Sequence, residues 1–199
     1  VKNEKVNYLP VAGRYFIIRE KTSGMALNTR GNNANNARVY IDNYNAAQKQ
    51  NFVWQLRRNA PEVEYCQLYG PYFSKAIDVA LGGVRYPLLW DPSYSNANQQ
   101  LQFVPVDGEK GVYRINSKTN SSWFGLKADG SVLSMVQGYA GGSLFVLEAV
   151  APDDVPMPNV WEDETFFGEN KEAGHATYMP YASVAEMKAD ARYDFPWLE

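Results

Sequence analysis

Residues 96–106 read NANQQLQFVPV, a run of side-chain amides leading straight into an alternating apolar strand. Amides are indifferent strand formers, so Asn98, Gln99 and Gln100 need a reason to stand at a strand entrance. A turn is the plain one, since Asn and its neighbours suit tight reversals and bond their own backbone. Two further copies of the pattern point beyond it. Upstream, residues 48–59 read QKQNFVWQLRRN; downstream, residues 140–150 read AGGSLFVLEAV. Aligned on their strands, Trp54, Leu101 and Phe145 take one large apolar position, and Gln55, Gln102 and Val146 follow it. The chain reads as a threefold repeat.

The rest of the first 150 residues fits that pattern. Short apolar or aromatic runs recur as GRYFIIRE, MALNT, ARVYID, FVWQL, then EYCQLYG, KAIDVA, PLLWD, LQFVPV, then GVYRIN, WFGLK, SVLSMV, LFVLEAV, with Gly, Asn, Asp, Ser and Pro between them. No amphipathic helix of convincing length interrupts these strand candidates, so the fold is all-β. Each third starts near an aromatic, Tyr15, Tyr72 or Tyr113. A period of roughly 45 residues with four strands per unit predicts a barrel capped by hairpins, because one unit cannot bury its own apolar face. Three blades are too few for a propeller, whose usual minimum is about four. The expected fold is a β-trefoil of three four-stranded repeats.

The totals narrow the function classes. A chain of 199 residues, 45% hydrophobic, suits one domain and an appendage. A net charge of −3 with scattered Lys and Arg argues against nucleic acid as a partner. No apolar run reaches the ~18 residues of a membrane span. The single cysteine, Cys66, rules out an intramolecular disulfide and reads as a small buried hydrophobe. Stability is left to the packed core. No carboxylate cluster has the spacing of a calcium loop, and no metal or other cofactor is expected.

From Gly13 to Val150 the chain resembles the ricin-type β-trefoil lectin domains, carbohydrate-binding modules marked by a Q-x-W repeat. The residues that carry this are SKAIDV, PLLWD and NANQQLQF: an Asp on the second strand, an aromatic on the third, and an Asn-Gln pair before the fourth. Leu101 stands where that family usually has Trp, whereas Trp54 keeps it. Sugar capture needs an apolar ring for the C–H face of a pyranose and groups that accept from and donate to its hydroxyls. The resemblance assigns Asp78 as the acceptor, Trp90 as the stacking platform, and Asn98 and Gln99 as the amides that close the site. Gln100 would then mark the strand entrance and Leu101 point into the core, with Tyr86 and Tyr94 near the rim.

The other two thirds depart from this pattern. In the first, Asn28 replaces the Asp, Ile41 falls at the aromatic position, and Phe52 follows Asn51. In the third, Gly125, Val136 and Gly142-Ser143 or their neighbours stand in those places. One site, in the second repeat, is expected. Each residue also has a plain alternative: Asp78 as a solvent-facing strand residue, Trp90 as a packed aromatic, Asn98-Gln99 as a hairpin turn. One shallow site implies weak binding, with dissociation constants on the order of 10⁻⁴ to 10⁻³ M.

After Val150 the composition shifts. Residues 151–160 form a Pro- and Asp-rich linker, and residues 161–199, expected to be largely irregular, have no partner among the repeats. This tail holds the only histidine, His175, and the acidic run Glu162, Asp163, Glu164. A lone His and a solvated acidic face make neither a metal site nor a catalytic one. Trp161-Glu162, Phe167-Gly168, Asn170-Lys171-Glu172, His175-Ala176-Thr177 and Pro180-Tyr181 resemble the leader before the first domain of family-2 glycoside hydrolases of the β-galactosidase type. Glycoside hydrolysis needs two carboxyl groups flanking the scissile bond, which that family carries on a separate barrel.

The expectation is therefore a non-enzymatic, lectin-like region of a β-galactosidase-type hydrolase. Residues 1–12 would be a lead-in and 13–150 the trefoil. Its partners would be a galactoside or a plant or host polysaccharide and the catalytic domains of the same parent chain. Its place would be extracellular or periplasmic, with a signal peptide removed and a role in polysaccharide utilisation. The rivals are a structural or docking trefoil that binds no sugar, and a protein-binding trefoil using the loop RGNNANNAR, residues 30–38.

Overall fold

The computed structural model describes residues 15–58, 65–80, 86–93, 95–109, 111–119, 121–126 and 133–150. The lead-in, the linker and the tail with its histidine and acidic run lie outside the described residues, as does Tyr94. Among the described residues twelve strands form, every one of them short: β1 Tyr15–Glu20, β2 Ala26–Asn28, β3 Tyr40–Asp42, β4 Val53–Arg58, β5 Cys66–Gly70, β6 Lys75–Asp78, β7 Leu88–Trp90, β8 Leu101–Pro105, β9 Val112–Ser117, β10 Trp123–Leu126, β11 Leu133–Val136 and β12 Phe145–Val150. The only helical segments among the described residues are 3-10 turns, at Ala46–Asn51, Ala97–Gln99 and Tyr139–Gly141, each just before β4, β8 or β12.

All pairings are antiparallel, and six of the strands close a ring. β1 pairs with β4, β4 with β5, β5 with β8, β8 with β9, β9 with β12, and β12 returns to β1. Closure removes the unpaired edges that an open sheet would expose. The other six make three outer hairpins, β2–β3, β6–β7 and β10–β11. Each hairpin joins the ring at its first strand, through Arg19 opposite Ala26, Tyr69 opposite Ala76, and Asn116 opposite Trp123.

Trp54, Leu101 and Phe145 are all fully buried in one core with Ile18, Leu27, Leu68, Ile77, Leu89, Ile115 and Phe124. Their common apolar position in sequence is a common place in the core. The Trp54 indole N–H donates to the Leu27 carbonyl at 3.0 Å, which satisfies its polar atom, and its ring meets Phe73 edge-on at 5.7 Å. Phe73 in turn lies so close over β5 that a Cβ at Gly70 would sit 2.1 Å from its ring, so only glycine fits there.

Candidate functional site

The β6–β7 hairpin carries the candidate site. Its register sets Asp78 opposite Leu88, Ile77 opposite Leu89, and Ala76 opposite Trp90. Alternate strand residues share a face, so Ile77 and Leu89 enter the core while Asp78, Leu88, Ala76 and Trp90 share the outer side. On that side Trp90 is 44% exposed and Asp78 only 6%. Neither plain alternative holds: the indole is open rather than packed, and the carboxylate is buried rather than solvent-facing.

The amide segment wraps behind Asp78. Asn96 caps the turn Ala97–Gln99, its Oδ1 accepting from the Asn98 N–H at 3.0 Å. The Val79 N–H donates to the Asn98 carbonyl at 2.8 Å, which ties the turn to the end of β6. Asp78 Oδ2 accepts from Gln99 Nε2 at 3.3 Å and from Asn96 Nδ2 at 3.4 Å. Burial pushes the Asp78 carboxyl above the usual range, and the amides of Gln99 and Asn98 act against that rise.

Gln99 differs from expectation. It is fully buried, and its amide is saturated: Nε2 donates to Asp78 Oδ2 and, at 2.9 Å, to the Asp91 carbonyl. Its Oε1 accepts from Gln67 Nε2 at 2.7 Å and from the Ser93 N–H at 2.9 Å. Two donors and two lone pairs are all a carboxamide has, so Gln99 supports Asp78 from behind and has nothing left for a ligand. Asn98 remains half-buried at the edge. Sequence reasoning passed over Asn96 and Gln67; the helical N-cap preference for Asn could have marked the first.

The surroundings hold the hairpin in place. The loop of residues 30–38 lies along β7, with Asn36 N–H donating to the Leu89 carbonyl and Leu89 N–H to the Ala37 carbonyl, both at 2.8 Å. Its Asn35 Nδ2 reaches Asp91 Oδ2 at 2.8 Å, and Lys75 pairs with the other oxygen, holding that exposed carboxyl below its usual range. Tyr86 is half-buried with the Arg38 guanidinium 4.1 Å above its ring.

The other two outer hairpins fill the same positions differently. In the first, Asn28 lies opposite Tyr40 and Ala26 opposite Asp42, so Asp42, not Ile41, stands where Trp90 stands. Ile41 pairs with Leu27 and belongs to the core, because the aromatic position falls one residue later than the sequence alignment put it. Asp42 is taken by Arg30, whose Nε and a terminal nitrogen reach its two oxygens at 2.8 and 2.7 Å. In the third hairpin Gly125 lies opposite Ser134 and Trp123 opposite Val136. A Cβ at Gly125 would come within 2.9 Å of Val136, so valine closes over the place that Asp78 occupies in the second.

Among the described residues no group of three or more His, Cys, Asp or Glu is placed to hold a metal, and no helix is long and apolar enough to cross a membrane. The Cys66 thiol is pushed up to about 12 by burial, the opposite of what a nucleophile needs.

No protein-family model and no curated protein sequence matches the chain. Solved structures do. The BEL β-trefoil is similar to it over 73% of this chain and 99% of its own, with 15% identity and a TM-score of 0.59. SeviL, solved bound to the asialo-GM1 saccharide, matches over 71% of this chain and 100% of its own, with 12% identity and a TM-score of 0.53. The exo-β-1,3-galactanase 1,3Gal43A of Clostridium thermocellum matches over 72% of this chain at 20% identity and a TM-score of 0.58, but that match spans only 31% of the galactanase. At these identities the likeness is one of fold, and the fold is a β-trefoil.

Proposed function

We propose that the trefoil is a non-catalytic carbohydrate-binding module with one site, on the second hairpin of three four-stranded repeats. Trp90 covers the C–H face of a sugar, Asp78 accepts from its hydroxyls, and Asn98 closes the edge, with Gln99 behind Asp78. The observation that carries this is an open indole and a buried carboxylate on one face of one hairpin. Burying the Asp78 carboxylate beside an exposed aromatic costs stability; the amides of Asn96 and Gln99 offset part of that cost, and a ligand hydroxyl would offset more. The saccharide-bound SeviL and the galactanase, both similar in fold, favour a galactose-containing glycan. The resemblance of residues 161–181 to a family-2 leader favours a place beside the catalytic part of a secreted or periplasmic β-galactosidase-type enzyme, where linkage offsets weak single-site affinity.

A docking trefoil without sugar is the second reading. It is favoured by the first and third hairpins, where Arg30 and Val136 close the corresponding places. The two readings separate in a titration of the chain with lactose, followed by the indole N–H resonance of Trp90, assigned by its loss in Trp90→Phe. A saturable shift at millimolar lactose or a related galactoside supports the lectin site. An unmoved resonance across a galactoside panel leaves the docking role.

A further inference from the structure

The innermost member of the amide chain behind the site is a residue of the barrel wall. Gln67 lies on β5, fully buried, and its Nε2 donates to Gln99 Oε1 at 2.7 Å. Its own Oε1 is buried and finds no donor among the described residues. An orphaned carbonyl in the core is a cost that a methionine or leucine of similar volume would avoid, so packing does not explain a glutamine at this place. What the glutamine alone supplies is the N–H aimed at Gln99.

That bond contributes to which way round Gln99 sits. Turned over, the Gln99 amide would set its oxygen against the Asp78 carboxylate and the Asp91 carbonyl, and its N–H groups against those of Gln67 and Ser93. The contacts to Asp78, Asp91 and Ser93 would then be repulsive, and the one to Gln67 as well unless its own amide turned with it. Gln67 and the Ser93 N–H are the two donors to the Gln99 oxygen in the productive orientation, and Gln67 is the one a side-chain substitution can remove.

We propose that Gln67 is a positioning residue for the glycan site: it orients the Gln99 amide, which keeps Asp78 in place as an acceptor on the Trp90 face. The inference rests on the lectin reading for its consequence, and on the Gln67–Gln99–Asp78 geometry alone for its mechanism. Gln67 touches no ligand.

The experiment uses Gln67→Met, which keeps the volume, and Gln67→Asn, which keeps the amide but shortens its reach. Two quantities are measured on each folded variant: the titration midpoint of the Asp78 carboxyl carbon by NMR, and affinity for whichever galactoside the wild type binds. Weakening of the Gln99 bond should raise the Asp78 midpoint in both variants and reduce affinity several-fold, with thermal stability of Gln67→Met held or increased. A midpoint equal to wild type in a folded Gln67→Met or Gln67→Asn overturns the proposal. A wild type that binds no glycan, with a midpoint that still moves in the variants, refutes the lectin reading and leaves the orienting role of Gln67 standing.

Discussion

Asp42 occupies in the first outer hairpin the position that Trp90 occupies in the second, each standing opposite an alanine, Ala26 or Ala76. One position therefore holds an open indole in one hairpin and a carboxylate closed by its own arginine in the other. Arg30 grips both oxygens of Asp42, and the pair holds the Asp42 carboxyl below its usual range. A depressed carboxyl contributes stability above the ordinary Asp range and loses it as pH falls through the folded value. Half the Arg30 side chain is in water, so Arg30→Ala is expected to cost less than about 1 kcal/mol. Glycan affinity should stay at the wild-type value, which a binding isotherm of Arg30→Ala would check.

Asp78 has the opposite sign. Burial raises its carboxyl, so between the ordinary Asp range and the raised folded value the folded state holds the extra proton. Stability rises as pH falls through that window, and at neutral pH the buried charge is a standing cost. Asp78→Asn is expected to be as stable as wild type or more so at neutral pH, while losing roughly tenfold or more in glycan affinity with the charge-assisted hydrogen bonds. Thermal melts across the acid range and a neutral-pH isotherm test both halves.

Trp54 carries a different load. It is fully buried, and its indole N–H satisfies the Leu27 carbonyl. Trp54→Ala is expected to destabilise the fold by about 3–5 kcal/mol through the cavity and the lost contacts. Denaturant unfolding gives the value; a cost under about 1 kcal/mol would mean the core is not built around this residue.

The parts of this structure legible in sequence are those set by local periodicity. Trp54, Leu101 and Phe145 could be aligned because a large buried residue falls in the first or second position of each closing strand. Asp78 and Trp90 are singled out by the family resemblance rather than by periodicity, which does not tell a buried carboxylate or an exposed indole from a solvent-facing Asp or a packed Trp. What could not be read depends on contacts across the chain. Gln67 and Gln99 are 32 residues apart, and nothing near either one announces the pairing. The inward turn of Gln99 follows from that pairing, because a saturated amide and an open one look alike in sequence. The placing of Ile41 slipped by one residue for the same reason: only the cross-strand partner Ala26 shows that Asp42 has the outer position.

The central claim is that Trp90 is exposed for a ligand. Because the indole is 44% exposed, Trp90→Ala should leave the fold intact at a cost of about 1 kcal/mol. The most direct measurement is a glycan-array screen of the wild-type chain beside Trp90→Ala, both checked for folding by circular dichroism. Binding of the wild type to galactose-containing glycans, lost in a folded Trp90→Ala, is the predicted result. Equal binding by both proteins, or none by the wild type at a density that detects millimolar ligands, would contradict it.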